Sequence, residues 1–190
     1  MTTLDELLML YGREGCANYF GEAVTQTEHG RQAAHFARLA GASDALVIAA
    51  LLHDVGHLLQ HAPDDLAEWT DDAHHEEVGS RWLADRFGSK VSEPVRLHVP
   101  AKRYLCATDS AYLRQLSSAS VHTLALQGGP MTAAEVTAFE AEPCYREAIL
   151  LRRCDDQGKV AGLATADFTE YCGLIAQLAR RSRASVDPVQ

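Results

Sequence analysis

His53 and Asp54 stand side by side inside the apolar run SDALVIAALLHDVGHLLQ, residues 43–60. In that run Leu46, Ala49, Ala50, His53 and His57 recur at i, i+3 and i+4 steps, the spacing of one face of a helix. An ionised carboxylate buried beside an imidazole costs several kcal/mol unless something compensates, and a metal ion is a common compensation. Adjacent side chains on a continuous helix diverge by about 100°. The pair therefore reaches one cation only from the flank facing it, or two cations with Asp54 between them.

The wider spacing extends this reading. His29 precedes His53 by 24 residues, His75 follows it by 22, and His98 follows His75 by 23. Asp155 stands next to last in the helical run YREAILLRRCDD, residues 145–156. Each candidate falls on a separate helical segment, and in an antiparallel bundle such positions converge at one end. The set is His29, His53, Asp54, His75, His98 and Asp155. Six ligands exceed the needs of one open catalytic ion and suit two ions bridged by Asp54. Nitrogen and oxygen donors without thiolate favour iron or manganese over zinc, and no cysteine joins the set as a structural zinc site would need.

The rest of the chain reads as all-α. The pattern predicts helices over 3–14, 25–40, 43–60, 73–87, 89–107, 109–126, 132–141, 143–154 and 167–183. Capping boxes are read at Thr3 with Glu6, Thr25 with Glu28 and Thr132 with Glu135. One domain over 1–183 and a disordered tail over 184–190 are expected. The net charge, 17 − 26 = −9, speaks against nucleic acid and anionic membrane as partners. No apolar run approaches the ~20 residues that span a bilayer. The five cysteines are odd in number and form no CxxC pair, as in reduced thiols, and no basic leader is read. The expected location is cytoplasmic.

Seven stretches carry a resemblance: YFGEAVTQTEH (19–29), AALLHDVGH (49–57), HEEVG (75–79), HVPAKRYL (98–105), YLRQLSSAS (112–120), QGGPM (127–131) and RRCDDQGK (152–159). The H…HD…D pattern resembles the HD-domain superfamily, a helical bundle. His75 and His98 resemble its binuclear branch, and HVPAKRYL and QGGPM are similar to the PhnZ-type diiron oxygenases of phosphonate breakdown. That resemblance implies two iron ions, ferrous and ferric. It also implies O2 and a small organophosphonate as reactants, with oxidative C–P cleavage of a 1-hydroxyphosphonate. A 2-trimethylammonio or 2-amino substrate would give glycine betaine or glycine plus phosphate. The register HEEVG selects His75 over its neighbour His74.

The resemblance also implies substrate contacts. Lys102 lies at i+4 from His98 and shares its face; the resemblance makes it the phosphonate-binding cation. Arg152 shares a face with Asp155 and offers a fork that fits phosphonate oxygens. Ser120 matches a phosphonate-contacting hydroxyl. Tyr19 and Glu22 are expected near one iron and the substrate's cationic nitrogen. His57, one turn beyond His53, reads as a substrate contact, a support for the ligands or a packed side chain. With Lys102 it is taken as a candidate catalytic residue. Loop 60–74 departs most from the family, and Trp69, Asp71 and Asp72 in it read as a cage for a quaternary ammonium or as a solvated loop. QGGPM is expected to shape the pocket. His35, His61 and His122 are expected at the surface. The alternative reading is an HD phosphohydrolase acting on a nucleotide or other phosphoester.

Overall fold

The structure, a computed structural model, describes residues 1–20, 22–61 and 73–186. Helix α1 (Thr3–Arg13) leads through a 3-10 turn to α2 (Gln26–Leu39), α3 (Asp44–Leu52) and α4 (Val55–Gln60). Then follow α5 (His75–Phe87), α6 (Ser89–Arg96), α7 (His98–Thr108), α8 (Ser110–Leu113) and α9 (Ser118–Leu126). Helices α10 (Ala133–Glu140), α11 (Tyr145–Gln157) and α12 (Cys172–Val186) complete the chain. Among the described residues the extended pairing is an isolated bridge between Asn18 and Thr25. None of the described helices is long and apolar enough to cross a membrane.

Helix α3 is the axis of the bundle. Its residues Leu46 to Leu52 are all buried, as expected of a helix apolar on every side. Helices α2, α6, α11 and α12 surround it. Leu7, Tyr11, Leu83, Val91, Leu151 and Ile175 join it in one core.

Three of the expected helices are broken, and two of the breaks fall at the candidate ligands. The run 43–60 divides at His53 and Asp54, and the run 89–107 divides at Leu97, just before His98. In both places the histidine Nδ1 donates to the carbonyl three residues back, His53 to Ala50 at 2.8 Å and His98 to Val95 at 2.7 Å. In a continuous helix that carbonyl would accept from the residue after the histidine. Pro100 also lacks the N–H that the Arg96 carbonyl would need. At Asp54 the backbone leaves the helix, with φ −94° and ψ 12°, and the Asp54 carboxylate lies 3.4 Å from His53 Nε2. The run 109–126 divides because Asp109 caps α8 and Ser117 caps α9 through side-chain oxygens.

The boxes at Thr25–Glu28 and Thr132–Glu135 form as read. The first one is shifted by one residue: Thr2 and Asp5 exchange the capping bonds, so α1 starts at Thr3 rather than being capped by it. A further box, Asp167 with Glu170, went unread. Helix α12 continues to Val186, past the expected end at 183. Trp69, Asp71 and Asp72 lie outside the described residues, as does the end of the tail from 187.

Two glycines set the distances between ligand-bearing helices. A Cβ on Gly30 would lie 2.5 Å from the Leu51 carbonyl oxygen, so α2 approaches α3 beside His29. A Cβ on Gly56 would lie 2.0 Å from the His75 carbonyl oxygen, so α4 touches α5 beside His57. Backbone cannot give way as a side chain can. Gly56→Ala is expected to cost about 1–3 kcal/mol, the usual cost of overpacking. It should appear as a lower urea midpoint at unchanged slope.

Candidate metal centre

The four histidines meet as two pairs. His29 Nε2 lies 3.1 Å from His53 Nε2, and His75 Nε2 lies 3.1 Å from His98 Nε2. Carbonyl groups only accept, so the Nδ1 atoms of His29 and His53 must carry hydrogens to donate to Gly158 (2.9 Å) and Ala50. In neutral rings both facing Nε2 atoms are then lone pairs, which repel each other. The His98 bond to Val95 fixes the same tautomer. His75 Nδ1 faces the Glu76 carboxylate at 3.5 Å. The Nδ1 bonds of His29, His53 and His98 are of the kind that usually orients metal-ligating imidazoles. Two donors each ~2.1 Å from one ion, at right angles, lie about 3.0 Å apart.

Asp54 stands between the pairs and divides its oxygens. Its Oδ2 lies 3.4 Å from His53 Nε2 and 3.6 Å from His29 Nε2. Its Oδ1 lies 3.4 Å from His75 Nε2 and 3.7 Å from His98 Nε2. Asp155 Oδ1 completes the first group at 3.3 Å from His29 Nε2. His57 Nε2 lies 4.0 Å from Asp54 Oδ1, so a third imidazole borders the second group. Asp54 Oδ2 and Asp155 Oδ1 are buried and have no hydrogen-bond partner among the described residues. Orphaned acceptors facing imidazole lone pairs are what a cation would satisfy, and the cluster fits a metal.

The electrostatics agree. Burial acts to raise Asp54, but the charge of His53 outweighs it and holds the carboxyl well below its usual range. Burial likewise acts against Asp155, and the charge of Arg152 outweighs it. Burial lowers His53, yet Asp54 more than offsets this and raises it to about 9. His57 and His98 are driven well below the usual imidazole range by burial and then by the charge of His75. They favour the neutral form, which is the form that ligates.

All six expected ligands are buried here, as are His57, Lys102, Ser120, Arg152 and Tyr19. His75 is buried while His74 is exposed, in keeping with the register read from HEEVG. Tyr19 stacks on His29 with ring centroids 3.8 Å apart, and His57 stacks on His75 at 3.8 Å. The cavity beside the metal cluster is lined by Tyr19, Phe20, Lys102, Ser120, Thr123 and Arg152, among others.

Lys102 Nζ donates to Thr123 Oγ1 at 2.9 Å, and burial followed by the charge of Arg152 lowers it to about 7. Arg152 is more occupied than its spacing suggested. Nη1 meets Asp155 Oδ2 at 2.7 Å, Nη2 meets Asp156, and Nε donates to Tyr112 Oη at 3.0 Å. It reaches Ser120 Oγ at 3.5 Å. Glu22 stands beside Lys159, its Oε1 3.7 Å from Nζ.

Lys159 was missed by the sequence reading. Its Nζ lies 2.9 Å from Ser120 Oγ and it lines the same cavity. It falls at i+4 from Asp155, but Gly158 caps the helix before it, so helical spacing does not apply. Gln127 of QGGPM also lines the cavity, as expected of that turn.

Residues 27–156 match the HD domain family. The chain is 46% identical over 172 residues to hydroxymethylphosphonate dioxygenase from Gimesia maris, covering 90% of this chain and 84% of that one. It is 40% identical over 169 residues to (1-hydroxy-2-(trimethylamino)ethyl)phosphonate dioxygenase (glycine-betaine-forming) from Leisingera caerulea, covering 89% and 86%. It is 31% identical over 185 residues to the uncharacterized protein L432 of Acanthamoeba polyphaga mimivirus, covering 96% and 84%. A cluster of four imidazoles and two carboxylates therefore sits where the family match runs, and the chain belongs to the HD-domain family, in the branch that includes these phosphonate dioxygenases.

Proposed function

We propose that the protein is a phosphonate dioxygenase, which uses O2 to cleave the C–P bond of a small 1-hydroxyphosphonate at a diiron centre. The observation that carries this reading is the division of Asp54 between two histidine pairs, next to a buried wall of cations and hydroxyls. His29, His53, Asp155 and Asp54 Oδ2 would hold one iron; His75, His98 and Asp54 Oδ1 would hold the other. When bound, a ferrous/ferric pair supplies the electron for O2 activation and a Lewis acid for the substrate hydroxyl. The names of the two relatives support a 1-hydroxyphosphonate. The candidates are hydroxymethylphosphonate and the 1-hydroxy-2-amino or 2-trimethylammonio ethylphosphonate, the latter two giving glycine or glycine betaine plus phosphate.

The atoms balance without an outside reductant. One C–P and one C–H bond break, C1 becomes a carboxylate and the phosphonate becomes phosphate. Both changes together remove four electrons, which O2 accepts.

The chain's own residues bind and orient. Lys102, Arg152, Lys159 and Ser120 offer donors to the phosphonate oxygens. Tyr19 and Phe20, both buried, roof the cavity and limit water. Burial, reinforced by the charges of Asp54 and Asp155, keeps the Tyr19 phenol well above its ordinary value and so protonated. His57, kept neutral by burial and stacked on His75 beside the cavity, is placed to accept a hydrogen bond from the substrate hydroxyl.

Lys102 gives this reading a pH dependence. Because its value without substrate is about 7, at higher pH Lys102 is a neutral amine that must take up a proton to meet a dianion as an ammonium. The KM for phosphonate is expected to rise from pH 7 to 9, by up to about tenfold per unit. Lys102→Arg keeps its charge and should flatten that rise; steady-state kinetics of the two proteins from pH 6 to 9 check it.

The direct test loads purified protein with iron and offers the three candidate phosphonates with and without O2. Phosphate from at least one of them, only with O2, is expected. Phosphate without O2 would instead indicate a phosphohydrolase, and none from any would overturn the reading.

A further inference from the structure

Arg152 is held from behind by two residues on which the ligand cluster makes no claim. Asp156 meets Arg152 through both oxygens, Oδ1 on Nη2 and Oδ2 3.2 Å from Nε. Tyr112 donates its hydroxyl to Asp156 Oδ2 at 2.5 Å and accepts from Arg152 Nε at 3.0 Å. The tyrosine is itself fixed. Its ring packs with Leu105, Cys106 and Leu124, and Asp109 Oδ1 accepts from its backbone N–H at 3.2 Å. Burial raises the phenol and Arg152 only partly opposes this, so the hydroxyl keeps its proton for Asp156.

We propose that Tyr112 and Asp156 are positioning residues that lock the plane of the Arg152 guanidinium, so that its remaining N–H groups face the phosphonate. This rests on the phosphonate reading of the cavity. A guanidinium has five N–H donors in a rigid fork. Asp155 takes one hydrogen of Nη1, and Asp156 with Tyr112 takes Nε and one hydrogen of Nη2; Nη2 also reaches Ser120 Oγ, on the cavity that Arg152 lines. Without the clamp, Arg152 keeps its Nη1 contact with Asp155 but the rest of the guanidinium is free to turn about it. Preorganisation of this kind lowers the cost of binding rather than adding a contact.

The proposal makes a prediction opposite in sign to simple electrostatics. Asp156 is a negative charge close to the anion site. If only charge mattered, Asp156→Asn would tighten anion binding. If Asp156 acts by positioning, the same change weakens it. Tyr112→Phe changes no charge and isolates the positioning effect.

The experiment uses the iron-loaded protein and inorganic phosphate as probe, with affinity read by calorimetry, alongside phosphonate kinetics. Tyr112→Phe and Asp156→Asn are each expected to weaken phosphate binding and raise the phosphonate KM about tenfold. The kcat should stay within about twofold, with iron content and melting temperature near wild type. Asp156→Glu, which keeps the carboxylate, should recover most of the affinity. Tighter phosphate binding in Asp156→Asn, unchanged affinity in Tyr112→Phe, or a fall in kcat at constant KM would overturn the proposal. If the wild type cleaves no phosphonate, the functional reading fails on that result alone, while the phosphate titrations still decide the clamp.

Discussion

Asp54→Asn is expected to empty both metal positions at once. Iron should fall from about two per chain to well below one, and phosphonate cleavage should fall by roughly a thousandfold or more, since the metals carry the chemistry. The reason is the division of its carboxylate: Oδ2 lies 3.4 Å from His53 Nε2, and Oδ1 lies 3.4 Å from His75 Nε2. An amide keeps one oxygen and turns an NH2 group toward imidazole nitrogens on the other side, and it carries no charge to offset the cations. His98→Ala removes a donor from one group only, so its loss should be confined to one iron. Metal analysis of the two variants beside wild type, with circular dichroism to confirm the helices, separates a shared ligand from a private one.

Removing the metal should cost the fold much of its stability. Four buried imidazoles face one another across 3.1 Å gaps, and two buried carboxylate oxygens lack partners among the described residues. Without a cation these groups are left unpaired or must take up protons, and each buried unpaired polar group costs about 1–3 kcal/mol. Binding a metal to the native state alone stabilises by mass action. At ~2–4 °C per kcal/mol for a chain of this size, the chelated protein should melt at least about 10 °C below the loaded one. Calorimetry before and after chelation, with iron restored in a third sample, checks both the size and the reversibility. An unchanged melting temperature would mean that the cluster is satisfied without metal.

Much of this candidate site was legible in the sequence because buried histidines and carboxylates are chemically conspicuous. A histidine-aspartate pair inside VIAALLHDVGHLL has no inexpensive place to be buried, so its neighbours had to explain it. The even spacing of His29, His53, His75 and His98 then followed the bundle. Helix breaks were illegible for the reason that makes them useful. Periodicity reports which positions are apolar, and VIAALLHDVGHLL is apolar on both sides of His53, so the pattern runs through that break unmarked. Ring-to-carbonyl bonds that only the fold reveals help to make the interruptions at His53 and Leu97, and Pro100 adds to the second.

Lys159, Tyr112 and Asp156 were passed over for a different reason. Each acts through a contact between segments far apart in the chain, Lys159 with Ser120 and Tyr112 with Asp156. Arg152 was read as a phosphonate ligand alone, since spacing cannot count how many of its donors are already taken. Gly56 carries no mark of its role in HDVGH, yet it is the point where α4 and α5 touch.

The central claim is that one carboxylate joins two irons in this bundle. Mössbauer spectroscopy of protein loaded with 57Fe and partly oxidised tests it most directly, read together with iron content. About two irons per chain, forming one exchange-coupled ferrous/ferric pair, is the expected result. One iron per chain, or two irons with no magnetic coupling, would contradict it.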